Sequence, residues 1–336
     1  MTDADLDRIL SVINVSWAQG TRETYGAGLL VYHVFCDTRS IPDSQRCPAT
    51  PLLIVTFISS CAGSYSGSTL ANYVFGIRAW HILHGQAWSM DDNQVKAALD
   101  GAANLAPPSS KRPKREPFTL TLIEMLFSKL DPSDPLDATV RACLATSFFT
   151  LVRTGEFTVS ALDSFDPAVD IKRSDVRSAT DRHGHHVTVF RIPRTKCSKD
   201  GEDVYCAAQP GPINPIAELE NHFSVNNPPA DSHLFAYVHA ASHRPLTKRT
   251  FLNRLNTVAT SLGLAPLKGH GVRIGGTLEY LLRGIPFDVV KSMGRWSSDA
   301  FTLYLRKHAV IMAPYLQGSP VLETFTRYTM PHVRRR

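Results

Sequence analysis

Long apolar runs are missing from this chain, and so are the cysteine patterns of metal sites. No run approaches the ~18 apolar residues that a helical membrane span requires. The longest, around Leu52 to Ala62, reads as a core helix. The six cysteines, Cys36, Cys47, Cys61, Cys143, Cys197 and Cys206, include no CxxC pair and no Cys/His zinc spacing. They are expected to be buried or inert thiols in a reducing compartment. No charged-then-apolar leader opens the sequence, so a soluble intracellular protein without a membrane partner is expected. Acidic residues show no metal-holding cluster either, and no metal or cofactor is expected.

What is present favours a polyanionic partner. The formal net charge is +6 over 336 residues, with a pI near 9.0. The charge is uneven. Residues 1–105 carry 6 Lys and Arg against 9 Asp and Glu, so the remainder carries 30 against 21. Hydrophobic content of 43% supports real cores, and the length suits two domains.

Residues 1–106 read as a small bundle of four helices. Their apolar residues run from Leu6 to Ile13, from Tyr25 to Phe35, from Leu53 to Ile58 and from Leu70 to His81. Arg22, Arg78 and His81 are candidate phosphate contacts there. Residues 107–117, PPSSKRPKREP, form a linker in which Lys111, Arg112, Lys114 and Arg115 make a compact basic cluster. It reads as a strap along a DNA backbone, as a nuclear localisation signal, or as both. Helices resume from Phe118. Val169 to Arg173, His186 to Pro193 and Val204 to Ala207 read as strands, with the polar loop TKCSKDGED between the last two. A helix from Thr247 sets Phe251, Leu255, Val258 and Leu262 on one face and Lys248, Arg249 and Arg254 on the other.

The chemistry concentrates in residues 268–306. His270 and Arg273 are three apart and share a helix face. Ile274, Leu278, Leu281 and Leu282 give the same helix a buried stripe. Gly284 ends it, Pro286 opens a second short helix, and Trp296 follows. Ser297 or Ser298 caps a third helix that carries Tyr304. An imidazole, a guanidinium, an indole N–H and a phenol thus sit in one helical unit. A phosphoryl transition state needs a nucleophile together with donors aimed at its non-bridging oxygens, and this set supplies both.

The order HxxR, GRW, then Tyr resembles the catalytic half of the tyrosine recombinases. Trp296 in the second-histidine position is similar to the Cre-like members. The wording GRWSSDAFTLYLR resembles recombinases of eukaryotic Crypton and DIRS-type mobile elements. One departure is the spacing: Trp296 to Tyr304 is eight residues, where many members have nine. Upstream, Arg153 and Glu156 in RTGE match the first arginine motif, and RTKC matches the hairpin that carries the family's lysine, here Lys196, with Lys199 its neighbour.

The resemblance implies a mainly α protein with a small antiparallel β-sheet, a two-domain DNA breaking-rejoining enzyme that clamps duplex DNA. A helical core-binding domain at 1–106 and the linker would precede an α+β catalytic domain at 118–318 and a basic tail at 319–336. It implies that Tyr304 attacks the scissile phosphate to give a 3′-phosphotyrosyl link, and that Arg153 and Arg273 bind phosphate oxygens. His270 would accept the phenol proton, Trp296 would donate a hydrogen bond, Lys196 would protonate the leaving 5′-oxygen, and Glu156 would brace the site. Lys248, Arg249 and Arg254 would lie on DNA, and Lys199 would contact its backbone. Neither ATP nor a metal is implied. Partners would be double-stranded DNA and further copies of the chain, dimer to tetramer on DNA. The location would be the nucleus in a eukaryote and the cytoplasm otherwise. Two other readings fit the residues: a type IB topoisomerase, and a domesticated DNA-binding protein that no longer cuts.

Overall fold

The computed structural model describes residues 2–297, apart from Arg112, Lys114, Lys196 and Cys197, and also Ile311. Tyr304 and the third helix expected around it lie outside the described residues, as does the tail at 319–336. The chain divides into two compact units, Met1–Lys114 and Arg115–Arg336.

The first unit is helical, with six helices among its described residues: α1 (Asp3–Asn14), α2 (Gln19–Thr38), α3 (Asp43–Arg46), α4 (Pro51–Cys61), α5 (Gly67–Leu83) and α6 (Asp92–Asn104). Thr50 and Ser66 cap α4 and α5, each accepting a backbone N–H with its side chain. Tyr32, Phe35, Ile54, Phe57, Leu70 and Ile77 make the core between α2, α4 and α5. The sequence pattern misses α6 because its inward stripe is built of small or moderate residues, Val95, Ala98, Leu99 and Ala102, with little periodic signal. Arg22 and Arg78 are exposed, as a phosphate contact needs. His81 is not. It is fully buried; its Nε2 accepts the Ala49 N–H at 2.8 Å, so its Nδ1–H donates to the Ile77 carbonyl, also at 2.8 Å. It is a core histidine whose pKa burial lowers.

The second unit is organised round one helix. After α7 (Leu120–Phe127) comes α8 (Pro135–Thr150), in which 13 of 16 residues are buried. A helix buried on all sides must be surrounded by other elements. Here these are α9 (Pro215–Asn226), α10 (Lys248–Ser261) and α11 (His270–Leu282), together with two small sheets. One sheet runs β1 (Val176–Thr180), β2 (His186–Ile192), β3 (Glu202–Cys206), antiparallel throughout, with Val189 opposite Arg177 and Tyr205. The other is a hairpin of β4 (Ala236–His239) and β5 (Ser242–Pro245). The last described helix is α12 (Phe287–Met293). No helix among the described residues is long and apolar enough to cross a membrane.

Two strand expectations need correction. Residues 169–173 are not a strand: the Val169 and Asp170 N–H groups both bond the Asp166 carbonyl in a tight turn, and only Ile171 enters the core. The first strand instead begins at Val176. The β4–β5 hairpin lies in a region whose Pro and Asn content hid it. Among the described cysteines, Cys36, Cys61, Cys143 and Cys206 are buried free thiols, and burial pushes Cys143 and Cys206 up to about 12.

Glycines decide how closely α11 docks. A Cβ at Gly275 would collide with the Phe118 carbonyl, and one at Gly276 with the Phe148 carbonyl on α8. Gly→Ala inside a helix normally stabilises by about 1 kcal/mol. Here the sign reverses: Gly275→Ala is expected to destabilise by roughly 1–3 kcal/mol through overpacking. Thermal unfolding of the full chain reads this directly, and a raised midpoint would refute the close approach.

Candidate active site

Arg153 is delivered by the end of α8. Leu151 closes that helix in the left-handed conformation, φ 54°, and turns the chain so that Arg153 opens a short 3₁₀ turn, Thr154–Glu156. Glu156 accepts the Arg153 backbone N–H at 2.8 Å and its guanidinium at 2.9 Å. Thr154 Oγ1 donates to the Gly269 carbonyl at 3.0 Å. Residues more than a hundred apart in sequence are thereby fixed together, with Arg153 beside the start of α11.

On α11, Arg273 is one of the largest fully buried side chains, at 1% exposure. Its guanidinium donates to the Gly294 carbonyl and lies 4.3 Å from the centroid of the Trp296 ring. Gly294 has no room for a Cβ against that ring. The HxxR and GRW motifs therefore meet. His270 is half-buried, and its pKa falls from 6.5 to about 4. Burial is the largest cause; the charges of Arg115, Arg273, Arg153 and Lys248 follow. This ring therefore sits among four cations, three of them on segments remote in sequence from α11. At neutral pH it is an uncharged imidazole, able to accept a proton.

A residue that the motif reading passed over joins these segments. Arg295 has φ 58° and a side chain only 10% exposed. It donates to Glu156 at 2.6 Å and to Glu202, the first residue of β3, at 3.0 Å. Burial raises the Glu156 carboxyl, but Arg295 and the Arg153 N–H outweigh it, and the net pKa is lowered. By the nine-residue spacing, Arg295 rather than Trp296 would fill the second-histidine position relative to Tyr304. Its side chain points into the two carboxylates, whereas Trp296 is the residue stacked on Arg273.

Of the remaining candidates, Lys199, Lys248 and Arg249 are exposed in the second unit, Lys199 on the β2–β3 loop and the other two at the start of α10. Arg115 is exposed there too, and Lys111 is exposed in the first unit. Arg254 does not belong with them. Its guanidinium grips both carboxylate oxygens of Asp137 at 2.6 and 2.7 Å, tying α10 to the start of α8. A charge so paired braces the fold. Arg112, Lys114, Lys196 and Tyr304 lie outside the described residues.

No family model matches the sequence, and no curated protein matches it. Solved structures do. The XerH site-specific recombinase bound to its palindromic difH substrate, a post-cleavage complex, aligns with a TM-score of 0.56 at 15% identity, over 90% of this chain and 78% of that one. A lambda integrase fragment, a dimer bound to a COC′ core site, gives 0.56 at 14% identity, over 90% and 94%. A lambda integrase tetramer bound to a Holliday junction gives 0.53 at 14%, over 88% and 77%. The fold is that of the tyrosine recombinases. With it, the expectation of a mainly α chain with a small antiparallel sheet is met. At such low identity the likeness to tyrosine recombinases lies in architecture, and the roles of individual side chains rest on the geometry described above.

Proposed function

We propose that this protein is a site-specific DNA recombinase or integrase that cuts and rejoins duplex DNA through a 3′-phosphotyrosyl intermediate. The observation that carries the reading is the meeting of Arg153, His270, Arg273 and Trp296 in a chain with the recombinase fold. The neighbours' complexes with difH, a core site and a Holliday junction support a DNA partner, and their dimer and tetramer support assembly of several copies on DNA. The resemblance of residues 294–306 to mobile-element recombinases favours a mobile element as the source; the location would be the nucleus in a eukaryote and the cytoplasm otherwise.

The chemistry follows from the side chains. Arg153 and Arg273 present planar forks to the non-bridging oxygens of the scissile phosphate. Tyr304 attacks phosphorus, His270 takes the phenol proton, and the 5′-oxygen leaves with a proton from Lys196. The phosphotyrosyl bond conserves the energy of the broken one, so a second 5′-hydroxyl reverses the step on a partner strand. Lys111, Arg112, Lys114 and Arg115 add non-specific phosphate binding. The test is covalent capture. A nicked duplex bearing the element's flanking repeats should yield a denaturant-stable protein–DNA adduct, with EDTA present; an adduct that needs magnesium would reject the mechanism.

His270 gives this reading a pH signature. Its folded pKa of about 4 is below the ordinary 6.5. Between these values the unfolded chain binds more protons, so the stability its neutral ring contributes is complete above 6.5 and is lost as pH falls toward 4. Adduct formation at sub-saturating DNA, which reports the free protein, should stay level from pH 7 to about 5 and then fall. A decline centred near 6.5 would mean that burial and the neighbouring cations do not lower the pKa of the accepting group.

A further inference from the structure

We propose that Arg295 is a positioning residue that ties the β2–β3 hairpin to the Arg153 motif and thereby sets the proton-donating side of the site. The proposal rests on the recombinase reading above and concerns a contact to which that reading assigns no role. Arg295 bridges Glu156 and Glu202, whose side chains are 8% and 27% exposed. Glu156 holds Arg153. Glu202 holds the hairpin: it accepts the Thr195 hydroxyl at 2.8 Å, across the base of the loop between β2 and β3. Thr195 in turn closes a turn with Ser198, its N–H donating to the Ser198 carbonyl at 2.9 Å while its hydroxyl accepts the Ser198 N–H at 3.0 Å. In sequence, Lys196 lies between these two residues. A continuous chain of hydrogen bonds, charge-assisted from Arg153 through Glu156, Arg295 and Glu202 to Thr195, thus runs from the proposed phosphate-binding arginine to the residues flanking the proposed proton donor.

The backbone supports a positioning role. A left-handed φ is unfavourable for a residue with a Cβ and persists where the surroundings impose it. At Arg295 it sends the guanidinium into the carboxylates while Trp296, the next residue, turns to Arg273. Adjacent side chains so serve the two sides of the site. An ion pair that merely held the fold would have no preference for one step of the chemistry. One that sets the hairpin should act on leaving-group protonation.

The test compares an ordinary nicked duplex with one whose bridging 5′-oxygen is sulfur, a leaving group that needs no proton. Glu202→Gln removes the charge at the hairpin base while conserving shape; Arg295→Lys keeps the charge but cannot span both carboxylates. In the full chain, both variants should bind DNA with unchanged affinity. Adduct formation on ordinary DNA should slow by up to about 10²-fold, the scale of a small misplacement. Sulfur should restore most of that loss. Equal losses on both substrates, or no loss in either variant, would overturn the role given to Arg295. Failure of the wild-type protein to form an adduct with either duplex would instead overturn the recombinase reading on which it stands.

Discussion

Tyr304→Phe should abolish covalent capture of a nicked duplex, and Tyr280→Phe should leave it intact. In the proposed mechanism the phenol oxygen of Tyr304 is the atom that bonds phosphorus, so its removal leaves nothing to trap, and the loss is complete rather than graded. The second half of the prediction comes from the structure. Tyr280 shares α11 with His270 and Arg273, which makes it the obvious rival by position. Its hydroxyl, however, donates to the Phe149 carbonyl at 2.8 Å, and its ring meets that of Phe149 edge-on at 6.4 Å. Burial pushes its pKa further above the ordinary 10, with Cys206 adding to the shift. Such a phenol is a poorer nucleophile than a solvated one, and it is already holding α11 to α8. Tyr280→Phe should therefore cost about 1 kcal/mol of stability and no chemistry. Tyr304 is assigned by its place eight residues after Trp296. Undiminished capture by Tyr304→Phe, or loss confined to Tyr280→Phe, would overturn the assignment.

How much of this was legible beforehand depended on the range of the interactions. Local signals read well: Ile274, Leu278 and Leu281 of the α11 stripe are buried, and the glycine stop at Gly284 and Pro286 before α12 likewise depend on residues within two turns; Leu282, expected in the same stripe, is exposed at the helix end. The three-residue spacing of His270 and Arg273 places them on one face of α11, and they share it. Non-local contacts were illegible one residue at a time. Arg254 and Lys248 look alike on a helical wheel, yet only Arg254 meets a buried carboxylate, Asp137, from a helix 117 positions away in sequence. Arg295 sat inside a motif valued for its tryptophan, and its partners, Glu156 and Glu202, lie 139 and 93 residues upstream. His81 shows the converse error. Its place on the helix suggests a phosphate contact, whereas both its ring nitrogens are engaged inside the bundle. The missed α6 and the misplaced first strand have a different cause: alanine-rich and aspartate-broken segments carry little periodicity to read.

Replacing Arg273 by lysine should lower the rate of adduct formation by about 10²–10³-fold, the usual cost of losing one oriented donor to a developing charge. The charge is nominally conserved, so the argument is geometric. The guanidinium of Arg273 is clamped between the Gly294 carbonyl and the face of Trp296, which leaves its planar fork with a defined direction. An ammonium has no plane and one nitrogen; it cannot bond Gly294 and also present paired donors. At 1% exposure a lysine would in addition tend to lose its proton, since burial disfavours the charged form. DNA affinity should change little, because exposed cations such as Lys248 and Arg249 remain. His270 supplies an independent readout. The charge of Arg273 is among the causes holding its pKa near 4, so Arg273→Ala should move that pKa toward the ordinary 6.5, visible in the ring's NMR titration. A slow variant with an unmoved His270 would mean that Arg273 acts elsewhere than beside the imidazole. A fast Arg273→Lys variant would show that charge alone suffices, and the fork would lose its role in the chemistry.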